Sequence, residues 1–578
     1  MYTFLVDHYR GAAHFDRLMD ILLECADVSI VNHNYQHAMI MLHEAAGIIE
    51  AKTLSYDILQ SWRFQFMSGK IHTLRGRAFL DTGCFHNAAK EFYAAMSNYG
   101  YGFPHTNFMA WIKLIYQNIK LKFALDIMAK TYTGRAKGYY AKIADMVSEC
   151  LSLMFTLFKI TQQWTLAKLA ATWSLNKALQ SNTNFRCICI ALSNLIELGE
   201  QFGDIPSTLK MENYALDTLK SRKEKITESE DLEGVARLYY TIVLSRILRS
   251  DIVQAMSMAN ETRNICLSLN AVRLQLQLLP NMIVITLLRQ QINECVEVLK
   301  ELGELSSRDF DKSARTWYFA FCMIFQLETG LTHETYKKCE QFFQEEGESM
   351  ITLRDPDSKK RYFVSMWLWC VRNEQWDSAS IWESHIHIPS LMLDKENVTN
   401  IICLLYLLEG KLIKIVSRLD MRDVQQVNKS FQELDRITRH ILKASQSVRM
   451  ALYLGKFNIL YSLYRHIRLH DVDAIRYLLK GKYIAQKHGN LLDLQWSEHT
   501  EKVWTGTIAT FFKDFWREHC QPDNLLYWNE GVTGSLVMFP FPYQCYQFKL
   551  DLLLFAFTDI LRQSLHKLRS MLYLYVLL

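Results

Sequence analysis

Residues 72–96 read HTLRGRAFLDTGCFHNAAKEFYAAM, and this stretch decides the fold. Small residues stand where two successive helices would cross closely, and large aromatic residues fill the space beside them. The offsets predict a helix, a tight turn and a second, antiparallel helix. One such helix pair cannot bury its apolar face alone, so neighbouring pairs must complete the core. The positions that carry the pattern are Gly76, Phe79, Gly83, Phe85, Ala88, Phe92 and Ala95.

This spacing is typical of a tetratricopeptide (TPR) unit, and it recurs along the chain. The key position is a small residue near the start of the second helix of each pair. Five such positions follow one another at separations of 40, 40, 40 and 44 residues, which is longer than the ~34 residues usual for TPR units. They are Ala215, Ala255, Cys295, Thr335 and Ala379, and the same template fits Tyr35 with Ala38, Trp164 with Ala167, and Ala474 with Leu478.

The predicted fold is therefore all-α: a TPR-like α-solenoid of stacked antiparallel helix pairs with a repeat of about 40 residues. We expect the array to extend over residues 1–505. Sustained period-2 alternation is absent, so strands should be rare. Three segments that are charged or contain proline are predicted to be loops between helices: 220–234, 344–361 and 387–399.

Composition excludes several classes of protein. Half of the 578 residues are apolar, so disorder is not the default, and a net charge of +5 is too small to indicate a nucleic-acid footprint. No window of 18 uncharged apolar residues occurs, and the N-terminus lacks the pattern of a secretory signal, so we expect no membrane span. The 13 cysteines form no CxxC pair, which favours a reduced, cytoplasmic compartment over a disulfide framework.

The motifs of common catalytic sites are missing. No glycine–lysine pair is followed by Ser or Thr, so no phosphate-binding loop is present, and neither HExxH nor GxSxG occurs. Two histidine pairs at i and i+4, His33 with His37 and His466 with His470, could share a helical face but lack an evident third ligand. We therefore predict no catalytic, cofactor-binding or metal-binding residue in this chain.

Four tryptophans lie close together in MWLWCVRNEQWDSASIW, and they allow two interpretations. They could fill the core between helix pairs, or some could anchor a partner on an exposed surface. Only burial separates the two. The residues are Trp367, Trp369, Trp376 and Trp382.

Four longer strings resemble the C-terminal helical-repeat region of the soluble, bicarbonate-responsive adenylyl cyclase family, in the same order and at similar spacing from about residue 70 to about residue 505. The resemblance implies a signalling enzyme that converts ATP to cyclic AMP, with two cyclase domains and a P-loop ATPase-like region placed before the repeats. The strings are LSLMFTLFKITQQWTLAKLAATWSLNKALQSNTN, LRQQINECVEVLKELGELS, EQWDSASIWESHIHIPS and RLHDVDAIRYLLKGKYIAQKHGNLLDLQWSEHTEKVW.

Only the repeats of that family are matched, so no family catalytic residue is carried over, and Mg²⁺ and ATP are implied only for upstream catalytic domains. We expect either that the chain is a fragment of a longer product, because an array that opened at Met1 would expose an apolar helix face, or that it is a relative that lost the enzyme. Residues 506–578 depart from the family; they are either capping helices or an artefact of the gene model.

Two functions follow from the sequence. The first is a regulatory or scaffolding array of a soluble adenylyl cyclase, whose partners are the upstream cyclase and ATPase-like domains or other proteins. The alternative is a stand-alone TPR-type adaptor for protein–protein interaction, without cyclase activity. Neither requires nucleic acid.

Overall fold

A computed structural model describes residues 2–12, 14–53, 61–127, 136–222, 229–307, 312–347, 355–392, 397–420, 424–444, 448–468 and 470–504. Within these ranges the chain is helical and contains no strand, which confirms the all-α prediction. No helix among the described residues is long and apolar enough to cross a membrane. The segment 506–578 lies outside them.

The chain forms two compact units, Met1–Ile242 and Val243–Leu578. The first ten helices are α1 Tyr2–Gly11, α2 Phe15–Val31, α3 Tyr35–Thr53, α4 Ser61–Asp81, α5 Phe85–Asn98, α6 Asn107–Lys122, α7 Tyr139–Ile160, α8 Trp164–Ser181, α9 Phe185–Gln201 and α10 Ile205–Arg222, and a π-helical turn, Phe123–Ile127, follows α6. The others are α11 Ser229–Leu248, α12 Ile252–Leu269, α13 Val272–Leu288, α14 Ile292–Ser306, α15 Ser313–Thr329, α16 Tyr336–Glu346, α17 Pro356–Arg372, α18 Trp376–Ser384, α19 Ile388–Leu391, α20 Val398–Asp420, α21 Val424–Ala444, α22 Leu454–Ile467, α23 Asp471–His488 and α24 Leu491–Trp504.

One turn geometry recurs between helices. In nine turns a residue with positive φ stands two positions before the next helix begins. The N–H of the residue that follows donates to the carbonyl five residues earlier, at 2.8–2.9 Å, which is the longer hydrogen bond of the Schellman motif. This bond reverses the chain within two residues and sets the next helix antiparallel. The positive-φ residues are His33, Gly83, Gln162, Gly203, Ser250, Asn270, Gln290, Glu374 and Gly489.

After two of these turns the fourth residue of the next helix is Gln275 or Leu494, but after the other seven it is small and fully buried. Its N–H donates to the carbonyl of the residue that precedes the helix, which closes the first helical turn. Ala, Thr or Cys at this point lets the paired helices approach closely. The same rule holds for Cys339 in α16 and Ala474 in α23. The seven residues are Ala38, Ala88, Ala167, Thr208, Ala255, Cys295 and Ala379, each 0% exposed.

The predicted row of small residues names the wrong residue at two positions. Ala215 lies in the middle of α10, and Thr208 occupies the fourth position there instead. Thr335 caps the N-terminus of α16 by accepting a hydrogen bond from the Lys338 N–H, so Cys339 is the equivalent residue. Both errors arose because several small residues are available in each helix. With the correct residues the separations vary, and a uniform 40-residue period is not observed.

Each of the three predicted loop segments is partly helical. Helix α11 begins at Ser229 because Glu230 and Asp231 favour its N-terminal turn. Helix α17 begins at Pro356, a residue suited to the first helical position, with Asp355 as its cap. Within 387–399, the residues Ile388–Leu391 form α19, and α20 begins at Val398.

The stretch 72–96 forms the close crossing that the sequence predicts. Gly76 lies in α4 against the ring of Phe92 in α5, and a Cβ atom at Gly76 would fall 2.5 Å from Phe92 Cε1. Ala88, Phe92 and Ala95 are all fully buried. They join a core that continues into α7 and α8, so this pair is completed by its neighbours.

Candidate interaction surface

Helix α6 belongs to the first unit and packs against the rest of that unit with the face that carries small and polar residues. Ala110, Gln117 and Leu121 are buried. Asn176 in α8 donates to the main-chain carbonyl of Gln117 at 2.9 Å and to its Oε1 at 2.8 Å. Buried amides are costly to desolvate unless paired, so these two bonds fix which side of α6 faces inward.

The loop before α6 fixes the helix further. Phe103 stacks on the rings of Phe158 and Trp173, with centroids 5.7 Å and 6.0 Å away. Lys113 in α6 donates to the carbonyl of Gly102 at 2.6 Å, and its Nζ lies 4.0 Å from the centroid of the Trp173 ring. Partial burial lowers the pKa of Lys113. The helix is thus held in one orientation by an amide pair, a lysine and stacked aromatic rings.

The outward face of α6 and the adjoining π-helical turn is apolar and exposed; we call it the α6 face. Its amphipathic pattern is inverted relative to an ordinary surface helix, which buries its apolar stripe. Because large side chains carry about 150–250 Å² each, the exposed area is on the order of 800 Å². This exceeds the largest apolar patch of most monomeric proteins. The residues are Phe108, Met109, Trp111, Ile112, Ile115, Tyr116, Ile119 and Phe123, each 42–68% exposed.

This face is not recognisable from the sequence pattern alone. Apolar residues at 3- and 4-residue steps ordinarily indicate a core-facing stripe, so the pattern by itself predicts burial. The opposite side of the helix carries the signal that could have revealed the face. There Ala110 and Gln117 form a stripe of one small and one polar residue, which can pack on another helix.

The tryptophan cluster belongs to the core. Trp367 and Trp382 are buried, at 0% and 3% exposure. Trp369 stacks on Tyr336 with centroids 4.1 Å apart and an interplanar angle of 11°. Trp376 is half-buried at the start of α18. Burial therefore decides between the two interpretations, and an exposed aromatic anchor is not formed here.

The two histidines of each pair have different surroundings and do not form a common site. His33 Nδ1 lies 2.8 Å from the hydroxyl of Tyr35, and His37 Nδ1 lies 2.9 Å from that of Ser29. His466 stacks on Trp504, while His470 precedes the first residue of α23. No group of three metal-ligating side chains is found among the described residues.

Cys187 and Cys189 are buried in α9. Burial raises the pKa of Cys189 to about 12 and that of Cys187 well above its ordinary value. Both are therefore protonated at neutral pH. Protonated thiols are poor nucleophiles and poor metal ligands.

The second unit contains a buried group of charged side chains, which we call the Glu328 cluster. Glu328 in α15 pairs with Lys456 in α22, and it accepts a hydrogen bond from the Tyr406 hydroxyl at 2.6 Å. Despite burial, Lys456 and this hydrogen bond keep the pKa of Glu328 below its ordinary value. Arg372 pairs with Glu409 beside them and donates to the carbonyl of Leu327 at 2.6 Å.

Asp493 in α24 completes this cluster. Its carboxylate accepts a hydrogen bond from the Asn490 side chain at 2.8 Å. Burial, reinforced by Glu328 and opposed by Lys456, raises its pKa to about 7. The cluster pairs its charges internally, and its evident role is to hold α15, α20, α22 and α24 together.

Comparison with known proteins gives a distant relation. No protein-family model matches the chain. A curated protein from Homo sapiens is 20% identical over 377 residues, which covers 65% of this chain and 23% of that protein. Another from Oryctolagus cuniculus is 19% identical over 544 residues, covering 92% of this chain and 32% of that protein. Both are adenylate cyclase type 10.

The chain is therefore similar to adenylate cyclase type 10 over much of its length, as the sequence strings indicate. It spans about a quarter to a third of the length of these curated relatives. The similarity is weak, and it links the chain to adenylate cyclase type 10 without assigning a role to any residue.

Proposed function

We propose that this chain is a regulatory or scaffolding helical-repeat region related to adenylate cyclase type 10, without a cyclase site of its own. The observation that carries the proposal is the α6 face, a large apolar surface on a firmly held helix. Surfaces of this size on folded proteins are typical of binding sites for other macromolecules. The similarity to adenylate cyclase type 10 supplies the context of cyclic AMP signalling.

The mechanism is physical. Helix pairs stacked as a TPR-like solenoid over 1–505 hold the α6 face in a fixed orientation. A catalytic or ATPase-like domain, or another intracellular protein, binds the face and is thereby positioned or restrained. If the chain binds two conformational states of that domain with unequal affinity, binding shifts the domain toward the state that is bound more tightly. The activity changes with this shift, by an amount that the difference in affinity limits.

The direct test uses the purified chain of 578 residues. Alone, it should make no cyclic AMP from Mg-ATP or Mn-ATP, with or without bicarbonate. Added to the purified catalytic part of adenylate cyclase type 10, it should bind and change the rate of cyclic AMP formation. Cyclic AMP production by the chain alone would overturn the proposal, and so would the absence of both binding and any change in rate.

The alternative function is a stand-alone adaptor that binds proteins outside cyclic AMP signalling. The exposed face supports it equally, because the face itself names no enzyme. Mapping the transcript upstream of Met1 separates the two: cyclase domains in the same reading frame favour the first function, and an upstream stop codon favours the adaptor.

A further inference from the structure

We propose that the α6 face binds an amphipathic helix of a partner protein whose flanking residues are acidic. The inference rests on the proposed function as a scaffold and adds the chemistry of the partner. Three observations carry it: the spacing of the exposed residues, the sign of the local charge and the area to be covered.

The spacing of the exposed residues suits a helix. Their central row is separated by 4, 3, 4 and 4 residues, which is the alternation that lets one helix insert side chains between those of another. The row covers four helical turns, so a partner helix of about 15–18 residues matches it at a rise of 1.5 Å per residue. The row is Phe108, Ile112, Ile115, Ile119 and Phe123.

Aromatic side chains flank the row and supply anchors. Trp111 and Tyr116 are 54% and 62% exposed and lie on opposite sides of it in helical projection. Tryptophan and tyrosine contribute most often to the residues that dominate binding energy. The row and its flanks together span an arc of roughly 160° around the helix, at about 100° per residue, which is wide enough to cradle one partner helix.

The charge on α6 itself has one sign, and the first acidic residue after it is Asp126 in the π-helical turn. No Asp or Glu occurs between Glu91 and Asp126, whereas α6 carries Lys113, Lys120 and Lys122. Lys113 is turned toward the loop before α6, but Lys122 is exposed within the apolar arc. A partner helix with flanking carboxylates meets opposite charge here, and a basic helix meets repulsion. A second copy of this chain would set lysine against lysine.

The area and the charge favour a protein over a lipid surface. About 800 Å² per partner is the size of a standard specific protein interface. Attachment to an anionic membrane gains about 1 kcal/mol for each Lys or Arg near the surface and usually needs several of them. Of the three lysines of α6 only Lys122 is exposed, and one lysine does not supply that attraction.

The test measures binding of two fluorescein-labelled helical peptides by anisotropy. Both carry Leu at the a and d positions of three heptads; one has Glu and the other Lys at the flanking e and g positions. The protein should bind the Glu peptide about tenfold more tightly than the Lys peptide, and added salt should reduce the difference. Equal affinity, or preference for the Lys peptide, would overturn the proposal.

Variants locate the site. Ile112→Ser with Ile115→Ser should weaken binding of the Glu peptide by at least about tenfold, because it removes two apolar side chains at the centre of the face. Ile381→Ser is the matched control, since Ile381 is 62% exposed on α18, outside the face, and its substitution should leave affinity unchanged. Both proteins should retain the circular dichroism and unfolding midpoint of the wild type. Equal weakening by the control would refute the assignment of the site.

Charge reversal tests the acidic partner separately. Lys122→Glu should reduce the preference for the Glu peptide by about threefold, which corresponds to the energy of one solvent-exposed ion pair. Lys90→Glu, at an exposed position of α5, should leave the preference unchanged. Binding of the chain to phosphatidylserine vesicles but not to the Glu peptide would overturn the inference in favour of a membrane. Concentration-dependent dimers that Ile112→Ser abolishes, with no peptide binding, would overturn it in favour of a second copy.

The outcomes remain distinguishable from those of the proposed function. Peptide binding with no effect on adenylate cyclase type 10 supports the acidic helix while removing the cyclase context. A cyclase effect that survives Ile112→Ser with Ile115→Ser supports regulation and refutes the α6 face as its site.

Discussion

Gly76 is required because the ring of Phe92 occupies the space where a side chain would begin. In an open helical position Gly→Ala stabilises a protein by roughly 0.5–1 kcal/mol. At Gly76 the new Cβ would lie 2.5 Å from Phe92 Cε1, so we expect Gly76→Ala to destabilise by about 1–3 kcal/mol. Urea unfolding followed by circular dichroism measures the change.

Gly47 provides the control within the same unit. It lies in α3, and a Cβ there would meet nothing within 4 Å. Gly47→Ala should therefore raise stability, by up to about 1 kcal/mol. If the two substitutions shift the midpoint in the same direction, the crossing of α4 and α5 is not as close as described.

Asp493 gives the second unit a pH dependence. Burial raises its pKa to about 7 from the ordinary 3.8. As pH rises from about 4, the unfolded chain loses this proton first, so stability falls until the folded state also ionises near pH 7. This fall in the free energy of unfolding is on the order of 2–4 kcal/mol between pH 4 and pH 8, and Asp493→Asn should remove it.

The measurement compares urea midpoints at pH 5 and pH 8 for the wild type, Asp493→Asn and Asp377→Asn. Asp377 is exposed in the first turn of α18, so its variant should follow the wild type. The groups that face Asp493 are Lys456, Glu328 and Tyr453, and all three are unchanged in both variants. An unaltered pH slope in Asp493→Asn would show that another group carries the dependence.

At the scale of helices, the recurring turn explains why the helix pairs could be predicted but not their period. The small buried residue is visible in the sequence, as Ala38, Ala88 and Ala167 illustrate. The turn itself is nearly invisible, because six of its nine positive-φ positions hold residues other than glycine. Without that marker, the small residue of α10 was placed at Ala215, seven residues after the correct Thr208.

Gln162 tests the energetics of this turn. Its φ of 57° is costly for a residue with a side chain, by about 1–2 kcal/mol, and this outweighs the extra unfolded-state entropy of glycine. Gln162→Gly should therefore stabilise by about 0.5–1 kcal/mol. Gln163→Gly, at the neighbouring position with φ −87°, should give no gain. Thermal unfolding of both variants decides, and a gain at Gln163 alone would contradict the strain argument.

Helix α6 shows a second limit of prediction. Its apolar stripe has the period of a core-facing helix, and only the tertiary contact between Asn176 and Gln117 reveals that the stripe faces outward. Orientation depends on a pair 59 residues apart in the chain, which the apolar stripe by itself does not encode. The all-α fold was predictable because helical period is local, and the candidate surface was not because its exposure is set at a distance.

At the scale of the molecule, long-range polar contacts organise the second unit. Lys456 reaches Glu328 across 128 residues of chain, and Gln290 contacts Gln495 across 205. Helix α24 also packs on α13. Stacked repeats ordinarily contact only their neighbours, so these contacts make the stability of this unit depend on residues far apart in sequence.

The Lys456–Glu328 pair therefore predicts cooperative behaviour. Lys456→Met leaves the Glu328 carboxylate buried without its cation, and we expect it to destabilise the second unit by about 3–5 kcal/mol. Adding Glu328→Gln should recover much of that loss, because Gln is neutral and still accepts the hydrogen bond from Tyr406. Hydrogen exchange should show loosening of α22 and α24 together in the single variant and its reversal in the double. If the two losses simply add, the pair is not coupled, and α24 is held by apolar packing alone.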